Sequence, residues 1–285
     1  MKKKKYDSKF VFRYALWLLE CSHDSGRCHA IMFFGLTFQF KVILEEFDAQ
    51  DGLRKLHNVV TIHPNFLTLS HSSTFDQIST LSILLPDTDP AQLNEDQECA
   101  ARQIVRHVCV AYRRYLEAHL NSKVEPIKRS QLRPNERPAQ PPVPAQPSYK
   151  PCKSSPEEIQ QNVELLLQHM PFRGHWVPVD QLLKLGGITL LLKIIAFAYE
   201  WNYSGRAETV RSALDVLAIA CVMPKVQLLF CERVELPEES ATVGINIILG
   251  AAEGEIVADA DVQKAALRVI VNCVCAPICR VGLVY

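Results

Sequence analysis

No charge of one sign prevails in this chain: 31 lysines and arginines meet 31 aspartates and glutamates, so the formal net charge at pH 7 is zero. A long-range field that gathers nucleic acid or an anionic membrane is therefore not expected, and neither partner is predicted. Long hydrophobic runs are missing too. The apolar stretch from Leu190 to Tyr199 is broken by Lys193 and falls short of the roughly 20 residues that span a bilayer. No signal-peptide pattern opens the chain. Catalytic signatures are also lacking: there is no glycine-rich phosphate loop ending in Lys-Ser/Thr, no Gly-x-Ser-x-Gly elbow, no His-Glu-x-x-His, and neither kinase tripeptide His-Arg-Asp or Asp-Phe-Gly. Nine histidines are scattered along the chain. No enzyme is expected, and no catalytic residue, cofactor or metal site is assigned.

What the chain does have is a recurring pair of elements. Leu185-Gly186-Gly187 opens an apolar helix, Ile188 to Ile195, and a second helix follows from Ala207 to Ala218. Val243-Gly244 opens another, Ile245 to Leu249, and again a second helix follows from Asp261 to Ile270. The glycines lie 57 residues apart and the alanines Ala213 and Ala266 lie 53 apart. Periods of this size belong to stacked helical repeats. Asp51-Gly52-Leu53 reads as a third, degenerate copy. The fold class is all-α, an armadillo-like helical repeat or α-solenoid, interrupted by a proline-rich disordered linker.

The chain divides on composition. Residues 1–122 form a first helical segment. It starts with Phe10 to Leu19, whose few polar positions imply packing on more than one side. Asp24-Ser25-Gly26 reads as the centre of a turn, and residues 30–47 as helix, with Thr37 to Phe40 able to pass for a strand. Residues 61–93 read as a loop with a short amphipathic piece near Ile78 to Leu85. A helix is expected from Asn94 to about Leu120, buried along Ile104, Val105, Val108, Ala111, Tyr112 and Tyr115. Residues 123–155 form the basic linker: Val124 to Pro156 holds nine of the 17 prolines, a density that excludes helix and central strand. Folding resumes at Ser155-Pro156-Glu157-Glu158, an N-cap with Pro at N1 and two first-turn carboxylates. Residues 156–277 carry the clear repeats, and 278–285 form a divergent tail. The last helix leaves Val269, Ile270, Val271 and Val274 without a following repeat to cover them.

Candidate binding residues are few. Arg102, Arg106, Arg113 and Arg114 form a stripe opposite the apolar one and are the candidate protein-binding residues; a solvated helix face is the alternative. Lys2 to Lys5 fits an import signal or an exposed chain end. Cys21-x-His23 with Cys28-His29 matches neither usual zinc spacing and reads as a turn with incidental thiols. Cys273-x-Cys275-x3-Cys279 reads as core. Cys109, Cys221, Cys231 and Cys273 lie in apolar patterns, where a thiol acts as a small hydrophobe, so a reducing, intracellular compartment is expected.

Several stretches resemble one family: KKKKYDSKFVFRYALWLLECSHDSGRCH (2–29), TVRSALDVLAIACVMP (209–224), TVGINIILGAAEG (242–254) and DVQKAALRVIVNCVCAP (261–277). They are similar to the Vpr-binding protein family, called Mahjong in insects, the substrate receptors of cullin-4 ubiquitin ligases. The resemblance implies a protein of the nucleus, with the cytoplasm also open, that recruits substrates through the damaged-DNA-binding adaptor. It also implies a scaffold of an E3 complex, with a kinase-like enzyme or a purely structural spacer as alternatives. In that family a WD-repeat propeller contacts the adaptor, and here no Trp-Asp dipeptide occurs. Ile278 to Tyr285 departs from the resemblance, so an incomplete copy of the helical-repeat region is expected, with adaptor binding and substrates supplied through the full-length protein.

Overall fold

Glycine opens each repeat because a helix N-terminus there backs onto the element before it. The computed structural model describes residues 8–61, 90–131, 151, 153–171, 173–236 and 241–275, and among them there are twelve α-helices. Gly186 takes the left-handed conformation (φ 70°) that glycine adopts without steric cost. A Cβ on Gly187 would overlap the Leu182 side chain, and one on Gly244 would sit 3.1 Å from the Phe230 carbonyl oxygen. Gly52 is closed in the same way by the Phe47 ring. All three expected copies are therefore present as Gly-opened helices.

The helices are α1 (Ser8–Cys21), α2 (Asp24–Thr37), α3 (Lys41–Ala49), α4 (Gly52–Thr61) and α5 (Pro90–Gln131). After the proline-rich stretch come α6 (Pro156–His169), α7 (Val177–Lys184), α8 (Gly187–Phe197), α9 (Arg206–Ala220), α10 (Pro224–Leu229), α11 (Gly244–Glu253) and α12 (Ala260–Cys275). One layer is a row of parallel helices, α2, α5, α9 and α12, each packed on the next. Their direction follows from constant offsets: Arg106 meets Glu208 and Arg113 meets Asp215, both 102 residues apart. Gly35 faces Ala111 while Phe38 meets Tyr115, and Arg211 meets Asp261 while Asn272 reaches Ala218. Behind the row lie the Gly-opened helices, α4 on α5, α8 on α9 and α11 on α12. This two-layer arrangement is an α-solenoid. One apolar core runs through both segments, from Phe12 to Val269.

The structure extends and corrects several expectations. Helix α5 starts at Pro90 rather than Asn94 and runs to Gln131, past the expected stop at Leu120 and through Pro126. Residues 123–131 of the expected linker are therefore helical. Burial explains the extension: Val124 is 1% exposed and Ile127 packs on the core, one and two turns beyond Leu120, and this offsets the backbone hydrogen bond that Pro126 removes. Residues 132–150 and the amphipathic piece near Ile78 to Leu85 lie outside the described residues. Asp24-Ser25-Gly26 is not a turn but the first turn of α2, with the Asp24 carboxylate at the positive helix end. Thr37 to Phe40 is not a strand: Thr37 ends α2, and Phe38 to Phe40 connect it to α3, with Phe38 continuing the core. Helix α1 buries one side only, Phe12, Ala15, Leu16 and Leu19, and exposes Phe10, Tyr14 and Trp17.

At the other end Val269 is fully buried and Ile270 packs on the core, against the expectation that both are uncovered, whereas Val271 and Val274 are exposed. Cys109 and Cys221 are buried as expected, and burial pushes the Cys109 thiol up to about 12. Cys231 is instead exposed in the turn after α10. A two-stranded antiparallel ribbon, β1 (Arg233–Glu235) and β2 (Ala241–Val243), joins α10 to α11. Ser155 does cap α6: its hydroxyl accepts from the Glu158 N–H at 3.2 Å while the Glu158 carboxylate accepts from the Ser155 N–H at 2.8 Å.

Candidate interaction surface

The arginine stripe of α5 does not face solvent. It faces α9, because α5 sits inside the row with α2 on one side and α9 on the other. Arg106 donates to Glu208 at 3.2 Å, and Arg113 to Asp215 at 3.4 Å. Arg102 lies over the Trp201 ring at 6.0 Å from its centroid. These three arginines tie the segment before the proline-rich stretch to the segment after it, so the expectation of an exposed four-arginine face is corrected. Only Arg114 is half exposed, and it donates to Glu117 at 3.0 Å.

Arg113 and Arg114 instead form one wall of a groove of about 500 Å³ that opens where α5, α9 and α12 run side by side. Helix α9 contributes Arg211 and Asp215, helix α12 contributes Asp261, Lys264 and Arg268, and the start of α6 closes one end with Ser154, Glu157, Ile159 and Gln160. Two buried amides fix α6 there. Asn162 donates to Asn121 of α5 at 2.8 Å. Gln160 donates to Asn272 of α12 at 3.2 Å, and Asn272 donates in turn to the Ala218 carbonyl at 3.1 Å.

Charge in the groove is shared rather than paired one to one. Asp215 serves both Arg113 (3.4 Å) and Arg268 (4.0 Å). Asp261 serves Arg211 (3.4 Å) and Lys264 (3.7 Å). Glu117 serves Arg114 (3.0 Å) and Arg113 (3.8 Å). Burial raises the Glu117 and Asp215 carboxyls above their ordinary range even though arginines pull both down. Glu157 is held below the ordinary range, chiefly by hydrogen bonding at the α6 N-terminus. The Arg113 side chain is 10% exposed, and its Nε has no hydrogen-bond partner.

Reading the sequence alone missed Arg211, Lys264 and Arg268. The signal was in the repeat itself: the 53-residue offset that aligns Ala213 with Ala266 also aligns Arg211 with Lys264 and Asp215 with Arg268. Cys28, His29 and His23 do not converge. Cys28 packs on the core, His29 Nδ1 contacts the Ser25 carbonyl at 2.6 Å, and His23 precedes α2. Among the described residues no single helix is long and apolar enough to cross a membrane.

Comparison with known proteins points one way. The model of the DCAF1 helical domain matches residues 105–284. Protein mahjong of Drosophila melanogaster is 48% identical over 270 residues, 95% of this chain. The DDB1- and CUL4-associated factor homolog 1 of Caenorhabditis elegans is 31% identical over 271 residues (92% of the chain), and that of Arabidopsis thaliana 27% over 273 residues (94%). The chain spans only 17%, 15% and 13% of these relatives' lengths. The match of the DCAF1 helical domain to well over half of the residues shows that the chain belongs to the DCAF1 (Vpr-binding protein, Mahjong) family.

Proposed function

We propose that this chain is a protein-interaction module of a substrate receptor for a cullin-4 ubiquitin ligase. The observation that carries this reading is the match of residues 105–284 to the DCAF1 helical domain, together with two relatives named as DDB1- and CUL4-associated factors. The fold supports it. A solenoid offers a long side of shared surface to partners, and the surface described above is a charged open groove built by four helices. In this reading the module binds by shape and charge, and the adaptor is engaged through other parts of the full-length protein. Affinity capture from cells tests it. The tagged full-length protein is expected to recover DDB1 and CUL4, and the 285-residue chain alone is not. Failure of the full-length protein to recover either would overturn the assignment.

A further inference from the structure

The groove between α5, α9 and α12 holds more positive charge than its own carboxylates neutralise. Five cations, Arg113, Arg114, Arg211, Lys264 and Arg268, share Glu117, Asp215 and Asp261. The fourth carboxylate in the lining, Glu157, is committed to the α6 N-terminus, where it meets the Ser155 side chain. Three of the cations stand at the mouth, their side chains 43% (Arg211), 66% (Lys264) and 43% (Arg268) exposed. They have donors to spare, since a guanidinium carries five N–H groups and an ammonium three. At the floor the buried Arg113 Nε makes no hydrogen bond and meets the Glu117 carboxylate only at 3.8 Å, so Glu117 is shared between Arg113 and Arg114 rather than committed to either. Between these groups the lining turns apolar, with Ile159, Val163 and Ile219.

We propose that this groove receives an extended acidic segment of a partner protein, with its carboxylates on Arg211, Lys264 and Arg268 and its alternate aliphatic side chains against Ile159 and Ile219. This inference rests on reading the chain as an interaction module and adds the chemistry of the partner. An extended peptide alternates its side chains with period two, so it presents charge and apolar surface to the two kinds of lining in turn. A nucleic-acid strand does not fit as well. Its charge repeats every 3.4 Å or so, with no alternate aliphatic side chain to set against Ile159 and Ile219.

Fluorescence anisotropy of the intact 285-residue chain with a short fluorescein-labelled peptide of alternating Glu and Leu tests the proposal. The same peptide with Gln in place of Glu is the control. The Glu peptide is expected to bind, more weakly as salt rises, and the Gln peptide is not. The variant Arg211→Gln/Lys264→Gln/Arg268→Gln is expected to raise the Kd about tenfold or more. Arg211→Lys/Arg268→Lys should keep most of the affinity. Neutralising three cations elsewhere (Lys41→Gln, Arg54→Gln, Lys225→Gln) should leave it unchanged, which separates a site from mere net charge. Thermal melting checks that each variant folds. Equal binding of the Gln peptide, an unchanged Kd in the groove variant, or displacement of the peptide by a lower concentration of a single-stranded oligonucleotide would each overturn it. None of these outcomes alters the affinity-capture result for the full-length protein, so the two readings fail separately.

Discussion

Helix α5 has two neighbours in the row and meets them by different physics. Against α2 and α3 it closes an aromatic seam. Phe34 lies 4.9 Å from Phe47 between ring centroids, Phe38 4.8 Å from Phe47, and Tyr115 5.5 Å from Phe38. Against α9 it is tied by ion pairs, Arg106–Glu208 at 3.2 Å and Arg113–Asp215 at 3.4 Å. The first seam buries large apolar area and its strength is non-directional. The second is directional, and its two charge pairs at one 102-residue offset fix register as well as contact. A helix row can thus be stapled by carboxylates and guanidinium groups whose outer edges remain open to a partner.

The largest effect that would sharpen this contrast is at the aromatic seam. Phe34→Ala should destabilise the chain by about 4 kcal/mol, and urea unfolding at low and high salt should give the same loss, because no charge is involved. A salt-dependent loss would break the comparison. Next comes Arg113→Ala, which takes the least exposed cation from Asp215 and Glu117, each about one-fifth exposed, and leaves them only Arg268 and Arg114. A loss of about 2–3 kcal/mol is expected in the same unfolding measurement. Arg106→Ala should cost only about 0.5 kcal/mol, since Glu208 is half exposed, and high salt should remove that cost. If Arg106 proved worth as much as Arg113, burial would not be what ranks the pairs.

The smallest effect is a slope. His57 is buried beside the Tyr112 hydroxyl (3.1 Å), and burial lowers its pKa; His107 is lowered by burial and by Arg106. The unfolded chain therefore takes these protons first. The stability they contribute is full above about pH 6.5 and is lost as the pH falls below it. His57→Gln should flatten the fall of melting temperature in that window. Glu117 and Asp215, raised instead, act with the opposite sign: the folded chain holds their protons longer, and as the pH rises through their folded values stability is lost.

Much of this architecture was legible in the sequence, and the failures share a cause. Gly187, Gly244 and Gly52 announce a helix that begins in contact with its predecessor. The Ser155 capping box announces a helix start from four residues. These signals are local, so they survive without the fold. The arginines of α5 are not local. Periodicity places Arg106 and Arg113 off the apolar stripe but cannot say whether solvent or α9 lies there, and only the matching acids Glu208 and Asp215 resolve it. The same holds for α5 beyond Leu120: Pro126 reads as a breaker until Val124 is seen buried. The groove needed two helices 53 residues apart and a third beyond the prolines, so no single window of sequence contained it.

The central claim is that α5 and α9 form one seam across the proline-rich stretch, so that the helices before and after it are one body. A protease site inserted after Gln140 lets the chain be cut there. Size-exclusion chromatography and a thermal melt of the cut protein then read the seam directly. The account predicts that both pieces co-elute at the uncut volume and melt together, and that Arg113→Ala weakens this association. Two pieces that separate on the column and melt independently would contradict it.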